Sequence, residues 1–440
     1  MSKKISPKST KKSPVPGYTF VQSAGGVEEY VLKSNGLRVL YHHRPGTGVV
    51  TSNITYLVGA RDEARGETGL AHMLEHMLFK PTTFDVEAGI TAGGAMQFER
   101  ETGCILNANT WKDRTTYFFS YPEQYFSDAL KIEAQRMEGV ILSDKELKPE
   151  QGNVLSEFDM YNGDPYFATA VQMCSAAFHS HPYGHETIGY REDIEYYTAE
   201  KLERFYRHYY RPNNAVMMVV GDTDVKTALH EIKKTFSKIP NPDTPIPRFT
   251  IKEPKQEGLR RVSIERSSTT NIVSLGFKHS GFPSTEWFHT CIMLDVLTSG
   301  PESVLRRLLV DTGKASSVEY TLEPSSETNL ALINITLAPE HYHTEVEHLT
   351  LAALQALDSK AITTLVKKAK ALTLTDELFA RQQSLRITQE LTEYVSAGQW
   401  EVYAKTPEIL KSITTKHILD CIKESFTSQN MTIGHFIGKQ

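Results

Sequence analysis

Residues 69–79 read GLAHMLEHMLF, an apolar stretch that carries His72, Glu75 and His76 within five positions. Polar groups in such a segment are costly to bury unless something satisfies them. In a helix, side chains four apart lie on one face, one turn above the other, so His72 and His76 can share one metal ion. Glu75 projects from the edge of that face. It can approach an open coordination position without occupying a ligand site. Zinc suits the set, because imidazole and carboxylate are good zinc ligands. Zinc also lowers the pKa of a bound water toward neutrality, and a nearby carboxylate can take the proton. The alternative is a pair of core histidines with a buried salt bridge, yet no lysine or arginine lies within residues 69–79 to pair with Glu75.

Two histidines leave a metal short, so a third protein ligand is expected from another helix. Residues 146–166, ELKPEQGNVLSEFDMYNGDPY, offer one. With Pro149 at a helix start, Glu150, Val154, Glu157 and Phe158 fall on one stripe at i, i+4, i+7 and i+8. Glu157 is the candidate third ligand. Glu150, two turns earlier, would hold a ligand histidine through a hydrogen bond. Without the histidine motif the same stripe would read as a solvated acidic face.

The elements that must position these groups are legible in outline. Ala71, Leu74, Met77 and Leu78 recur at helical spacing and predict a helix over residues 70–79. A strand candidate, VVTSNITYLVGA (49–60), precedes it. The second half repeats the order: NIVSLGFKH (271–279), then SGFPSTE, then an apolar helix candidate over 287–297. Each half closes on a strand in which glycine follows asparagine by eight positions, Asn213 to Gly221 and Asn430 to Gly438. Between the halves, four prolines fall between Pro240 and Pro247, too dense for a helix or a central strand. The expected layout is a basic tail (1–20), an N-terminal metal-binding domain (21–238), a linker (239–257) and a homologous C-terminal domain (258–440). Mixed strands and helices make each domain α+β.

Bulk properties exclude several classes. A net charge of -5 over 440 residues gives no electrostatic reason to expect nucleic acid or an anionic membrane as partner. Cys104, Cys174, Cys291 and Cys421 form no CxxC pair, which argues against a disulfide framework or a zinc-thiolate site and fits a reducing compartment. No apolar run is long enough to span a bilayer. MSKKISPKSTKKSPVPGYTF has the charge of a signal peptide without its apolar stretch, and lacks the arginines of a mitochondrial presequence. It reads as a solvated lysine tail, and the expected location is cytoplasmic.

HxxEH inverts the common HExxH zinc motif, and with a glutamate some eighty residues later it resembles the inverzincins. The similarity extends through TGLAHMLEHMLFKPT, LNANTWKDRTTYFF, HPYGHETIGYREDIEYYTAEKLERFYRHYYRPNNAVMMVVGD and the repeated second half. Over nearly its whole length the chain resembles the pitrilysin/insulinase-type metallopeptidases, especially half-length subunits similar to mitochondrial processing peptidase. The resemblance implies two homologous α/β-roll domains, each an antiparallel sheet packed with helices, forming half of a clamshell. It implies His72, His76 and Glu157 as ligands of one Zn2+, Glu75 as general base and Glu150 as supporting acid. The strand bearing Asn107, Ala108 and Asn109 resembles the family's edge strand, to which an extended peptide adds by main-chain hydrogen bonds. The implied activity is endopeptidase cleavage of short unfolded peptides or targeting segments.

Two departures stand out. The interval from His76 to Glu157 is longer than usual, and the extra length is expected as a surface loop within ITAGGAMQFERETGCIL (90–106). The family's substrate-holding arginine and tyrosine, seven apart, fall here on Val310 and Ser317; seven residues after Arg306 and Arg307 stand Gly313 and Lys314. That absence favours a heterodimer with a homologous subunit carrying the Arg/Tyr pair. A homodimer is open if other groups, such as Tyr320 and Arg307, replace it. The rival from another class is a non-catalytic structural subunit of the same fold.

Overall fold

The computed structural model describes residues 12–91, 93–248 and 250–439. One sheet contains β1 (Tyr18–Ala24), β2 (Val27–Leu32), β3 (Arg38–His43), β4 (Val49–Tyr56), β5 (Ile105–Thr110), β6 (Thr115–Pro122) and β7 (Ala215–Gly221). Its order is β1-β2-β3-β7-β4-β6-β5. The second sheet contains β8 (Arg260–Ser267), β9 (Ile272–His279), β10 (Ala315–Thr321), β11 (Asn329–Leu337) and β12 (Met431–Lys439), ordered β10-β11-β9-β12-β8. The β3–β7 and β8–β12 pairs are parallel and every other pair is antiparallel. The path β3-β7-β4-β6-β5 in the first sheet is therefore the path β8-β12-β9-β11-β10 in the second. This is the internal repeat that the two glycine-ended strands announce. Both of those strands, β7 and β12, sit inside their sheets, and β7 is buried on both faces, which is why AVMMVVG runs apolar without alternation.

The chain forms two compact units that interleave in sequence. The first takes in the chain up to Ser156, Thr187–Phe249 and Ala380–Ala404; the second takes in Glu157–Glu186, Thr250–Phe379 and Lys405–Gln440. The sequence layout had one cut at 239–257. Between Phe236 and Arg260 the described residues do carry no helix or strand. However, the helix Pro165–Ala177 packs on β8, β9 and β12 of the second sheet. Its Met173 lies so close to Gly276 and Gly434 that a Cβ at either would come within 2.8 Å and 2.6 Å of the Met173 side chain. Conversely, the helix Ser384–Ser396 packs on β4 and β7 of the first sheet, burying Ile387, Leu391 and Val395. Composition marks a linker, but it does not say which sheet an amphipathic helix will cover.

Three local expectations change. Strand β1 begins at Tyr18, inside the segment read as a tail, because Tyr18 and Phe20 are buried and the Tyr18 hydroxyl donates to the Leu229 carbonyl at 2.9 Å; residues 1–11 lie outside the described residues. The expected surface loop contains a helix, Gly94–Thr102. Phe98 on that helix packs edge-on against Phe119, Tyr121 and Tyr125, so charged neighbours hid a core residue. The glutamate-bearing helix spans Asp144–Asn162, so Pro149 lies inside it instead of at its start. The start is fixed by Ser143, whose hydroxyl accepts from the Glu146 amide at 3.4 Å. The Ser-x-x-Glu pattern there was the available signal. Among the described residues no helix is long and apolar enough to cross a membrane.

Candidate metal centre

The histidine helix, Leu70–Met77, is anchored at its start by buried polar groups. The Glu63 carboxylate accepts from the Gly69 and Ala71 amides at 2.7 and 2.8 Å, satisfying donors that a helix start leaves open and placing negative charge at the positive end of its dipole. One residue earlier, the Thr68 amide and hydroxyl both donate to Asp193 Oδ2, at 3.0 and 2.6 Å. Gly69 has φ +87°, and a Cβ there would run into the Ile188 carbonyl and the Tyr197 hydroxyl. Gly69→Ala is therefore expected to destabilise the protein by about 2 kcal/mol or more, read as a lowered denaturation midpoint. Along the helix Leu70, Ala71, Met73, Leu74 and Met77 are buried against β5, β6 and the helix Ala199–Tyr209. Burial of each large side chain contributes about 1.5–3 kcal/mol. That face fixes the opposite one, which carries His72, Glu75 and His76.

The His72 and His76 ring centroids are 4.8 Å apart. One ligand atom from each of His72, His76 and Glu157 lies within 4.8 Å of the others, and all three residues are partly buried. Glu157 comes from the helix Asp144–Asn162, within which Val154 is fully buried. Two imidazoles and a carboxylate are a donor set suited to zinc with one position left open.

Glu150 sits beside His76, its Oε2 3.4 Å from Nδ1, a long contact. Its Oε1 lies 2.5 Å from Lys80 Nζ, and Asn153 donates to Oε2 at 3.2 Å. Burial alone would raise this carboxyl, but the bonds from Lys80, Asn153 and His76 outweigh it and hold it below the usual carboxylate range. Glu150 is thus an ionised group available to orient the His76 ring. Glu150→Ala is expected to weaken zinc binding about 10–100-fold, measured by titration against a competing chelator.

Glu75 accepts from the Thr110 hydroxyl at 2.5 Å. Thr110 ends β5, which pairs with β6 and forms the edge of its sheet. On this strand the Asn107 side-chain oxygen accepts from the Ala108 amide at 2.8 Å, and that of Asn109 accepts from Arg114. Arg114 is buried and pairs with Glu393 through two nitrogens. The side-chain oxygens of both asparagines thus accept bonds from within the protein. In the second unit the Tyr320 hydroxyl donates to Asp295 at 3.1 Å and Arg307 lies 3.7 Å from Glu302, while the Ser317 hydroxyl donates to Thr336 at 3.1 Å.

Sequence reasoning missed Glu63, Thr110, Lys80 and the Arg114–Glu393 pair. Thr110 was within reach. In a strand it shares a face with Ala108, two residues earlier, and that face meets the histidine helix. Lys80 and the Arg114–Glu393 pair depend on contacts distant in sequence, whereas Glu63 lies only six and eight residues from the amides that donate to it.

Residues 38–191 match the family model described as insulinase (peptidase family M16), and residues 196–393 match that of the M16 inactive domain. The chain is 31% identical over 298 residues to zinc protease PqqE of Helicobacter pylori, covering 67% of this chain and 66% of that protein. It is 27% identical over 207 residues to an uncharacterized zinc protease of Streptomyces coelicolor, covering 46% of this chain and 43% of that protein. The solved structure of a protease from Helicobacter pylori superposes with a TM-score of 0.87 at 25% identity, over 93% of this chain and 99% of that one. The chain belongs to the insulinase-type M16 peptidases, a family of zinc proteases, and is of about half length.

Proposed function

We propose that the chain is a zinc-dependent endopeptidase acting on short unfolded peptides or targeting segments, as the zinc-bearing subunit of a dimer. The observation that carries this reading is the convergence of His72, His76 and Glu157 with Glu75 between the two histidines. Zinc held by those three residues supplies Lewis acidity and a water of lowered pKa. The rest falls to the chain's own groups. Glu75 Oε2 is oriented by the Thr110 hydroxyl. The carboxylate takes a proton from the attacking water and returns it to the leaving amine. Glu150 fixes the His76 ring. The edge of β5 pairs with an extended peptide through main-chain bonds, a mode that tolerates many sequences and requires an unfolded substrate.

No arginine or tyrosine stands at positions 310 and 317. Tyr320 and Arg307 are engaged with Asp295 and Glu302. This supports a homologous partner that contributes the Arg/Tyr pair, with a homodimer as the second arrangement. Cys104, Cys174, Cys291 and Cys421 are in no disulfide, which agrees with a reducing, cytoplasmic setting. A non-catalytic subunit is the second reading, favoured by Val310 and Ser317 and by the match of residues 196–393 to the inactive-domain model. Zinc content of the purified chain, with hydrolysis of unstructured peptides measured alone and with a related subunit added, separates the two. A zinc-loaded chain that cuts no peptide in either state would overturn the peptidase reading.

A further inference from the structure

The second unit holds a cavity of about 430 Å³ formed by the end of β9, the helix Thr285–Thr298 and the helix Thr415–Ser425. The proposed peptidase chemistry makes no use of it. Three histidines line it: His279, His289 and His417. His279 is 5% exposed. Its Nδ1 lies 2.8 Å from the Ser280 carbonyl oxygen, an acceptor, so Nδ1 carries the proton and Nε2 is a bare lone pair. That Nε2 is buried and meets no hydrogen-bonding group of the protein. Burial pushes the ring down to about 4, so it is neutral at neutral pH. His289 Nε2 is likewise buried without a partner in the protein. Its ring stacks on His417 with centroids 4.7 Å apart and planes 26° apart. Burial, and then the charge of His417, lowers its pKa.

Three of the nearby donors are already engaged. The Lys278 ammonium lies 3.5 Å from Glu253 and over the Phe178 ring. The Asn430 amide nitrogen donates to the carbonyls of Lys278 and Ser425. The Thr290 hydroxyl donates to the Glu286 carbonyl at 3.1 Å. At the rim, the exposed carboxylates of Glu286 and Glu424 act on His289. The cavity thus presents the His279 lone pair inside and two carboxylates at its rim. It is not built for a coordinated metal, because among the described residues only His72, His76 and Glu157 bring three ligand atoms within 4.8 Å.

We propose that this cavity binds an organic cation, a guanidinium or alkylammonium group, whose N–H donors reach the His279 Nε2 lone pair and whose charge is met by Glu286 and Glu424. A planar guanidinium also stacks on the His289–His417 pair. The test is calorimetric titration of the full chain with n-butylguanidinium, with N-acetyl-arginine methylamide and with the neutral isostere n-butylurea. One cation bound per chain is expected, with the urea at least about tenfold weaker. His289→Ala, and separately Glu286→Gln with Glu424→Gln, are each expected to weaken cation binding about tenfold with an unchanged melting temperature. Binding of either cation supports the site, and the tighter of the two identifies a free cation or a peptide side chain as its source. Equal affinity for the urea, full affinity in both variants, or no cation binding at all would overturn the proposal. The readout involves no hydrolysis, so it stands or falls separately from the peptidase reading.

Discussion

Glu75→Gln is expected to lower peptide hydrolysis by about 10²–10⁴-fold or more while zinc content and melting temperature stay unchanged. The amide has the shape of the carboxylate and can still accept from Thr110, whose hydroxyl lies 2.5 Å from Glu75 Oε2. It cannot take up a proton. The variant therefore removes one chemical capacity and leaves packing alone. Turnover of a fluorogenic unstructured peptide, with zinc measured on the same sample, checks it. Undiminished turnover would assign the proton to another group.

The second large effect concerns the metal itself. Removing one imidazole from a set of His72, His76 and Glu157 leaves two protein ligands, too few for a stable zinc site. His72→Ala is expected to bring zinc from one per chain to near none after dialysis, as elemental analysis reads it. A strong chelator should abolish hydrolysis in the parent chain, with recovery on adding zinc. A His72→Ala chain that keeps one zinc would put the ion elsewhere and remove the basis of the proposed mechanism.

The chemistry was easier to read from the chain than the architecture. His72, Glu75 and His76 lie within one helical turn of each other, so their relation is fixed by local geometry. Glu157 lies on a second helix, and its approach to the imidazoles needed the fold. The paired topology of the two sheets was foreshadowed because strand order recurs along the chain. Assignment of the helices Pro165–Ala177 and Ser384–Ser396 to opposite halves was not, because an apolar helix face in a sequence does not say which sheet it covers. The Phe98 helix reads as a loop in the sequence because its charged neighbours outnumber its two buried residues, Ala95 and Phe98. Support for Glu75 comes from Thr110, which strand alternation makes legible, and support for the helix start comes from Glu63, which no capping motif marks.

The exchange of those two helices bears on how the chain is made. A ribosome that has released residues up to the proline-rich segment has produced the first sheet and its histidine helix, but not the helix at Ser384–Ser396 that covers β4 and β7. The nascent first half must wait with that apolar surface uncovered until the C-terminal half emerges. Separating the halves at the prolines would divide each unit's own parts between two fragments.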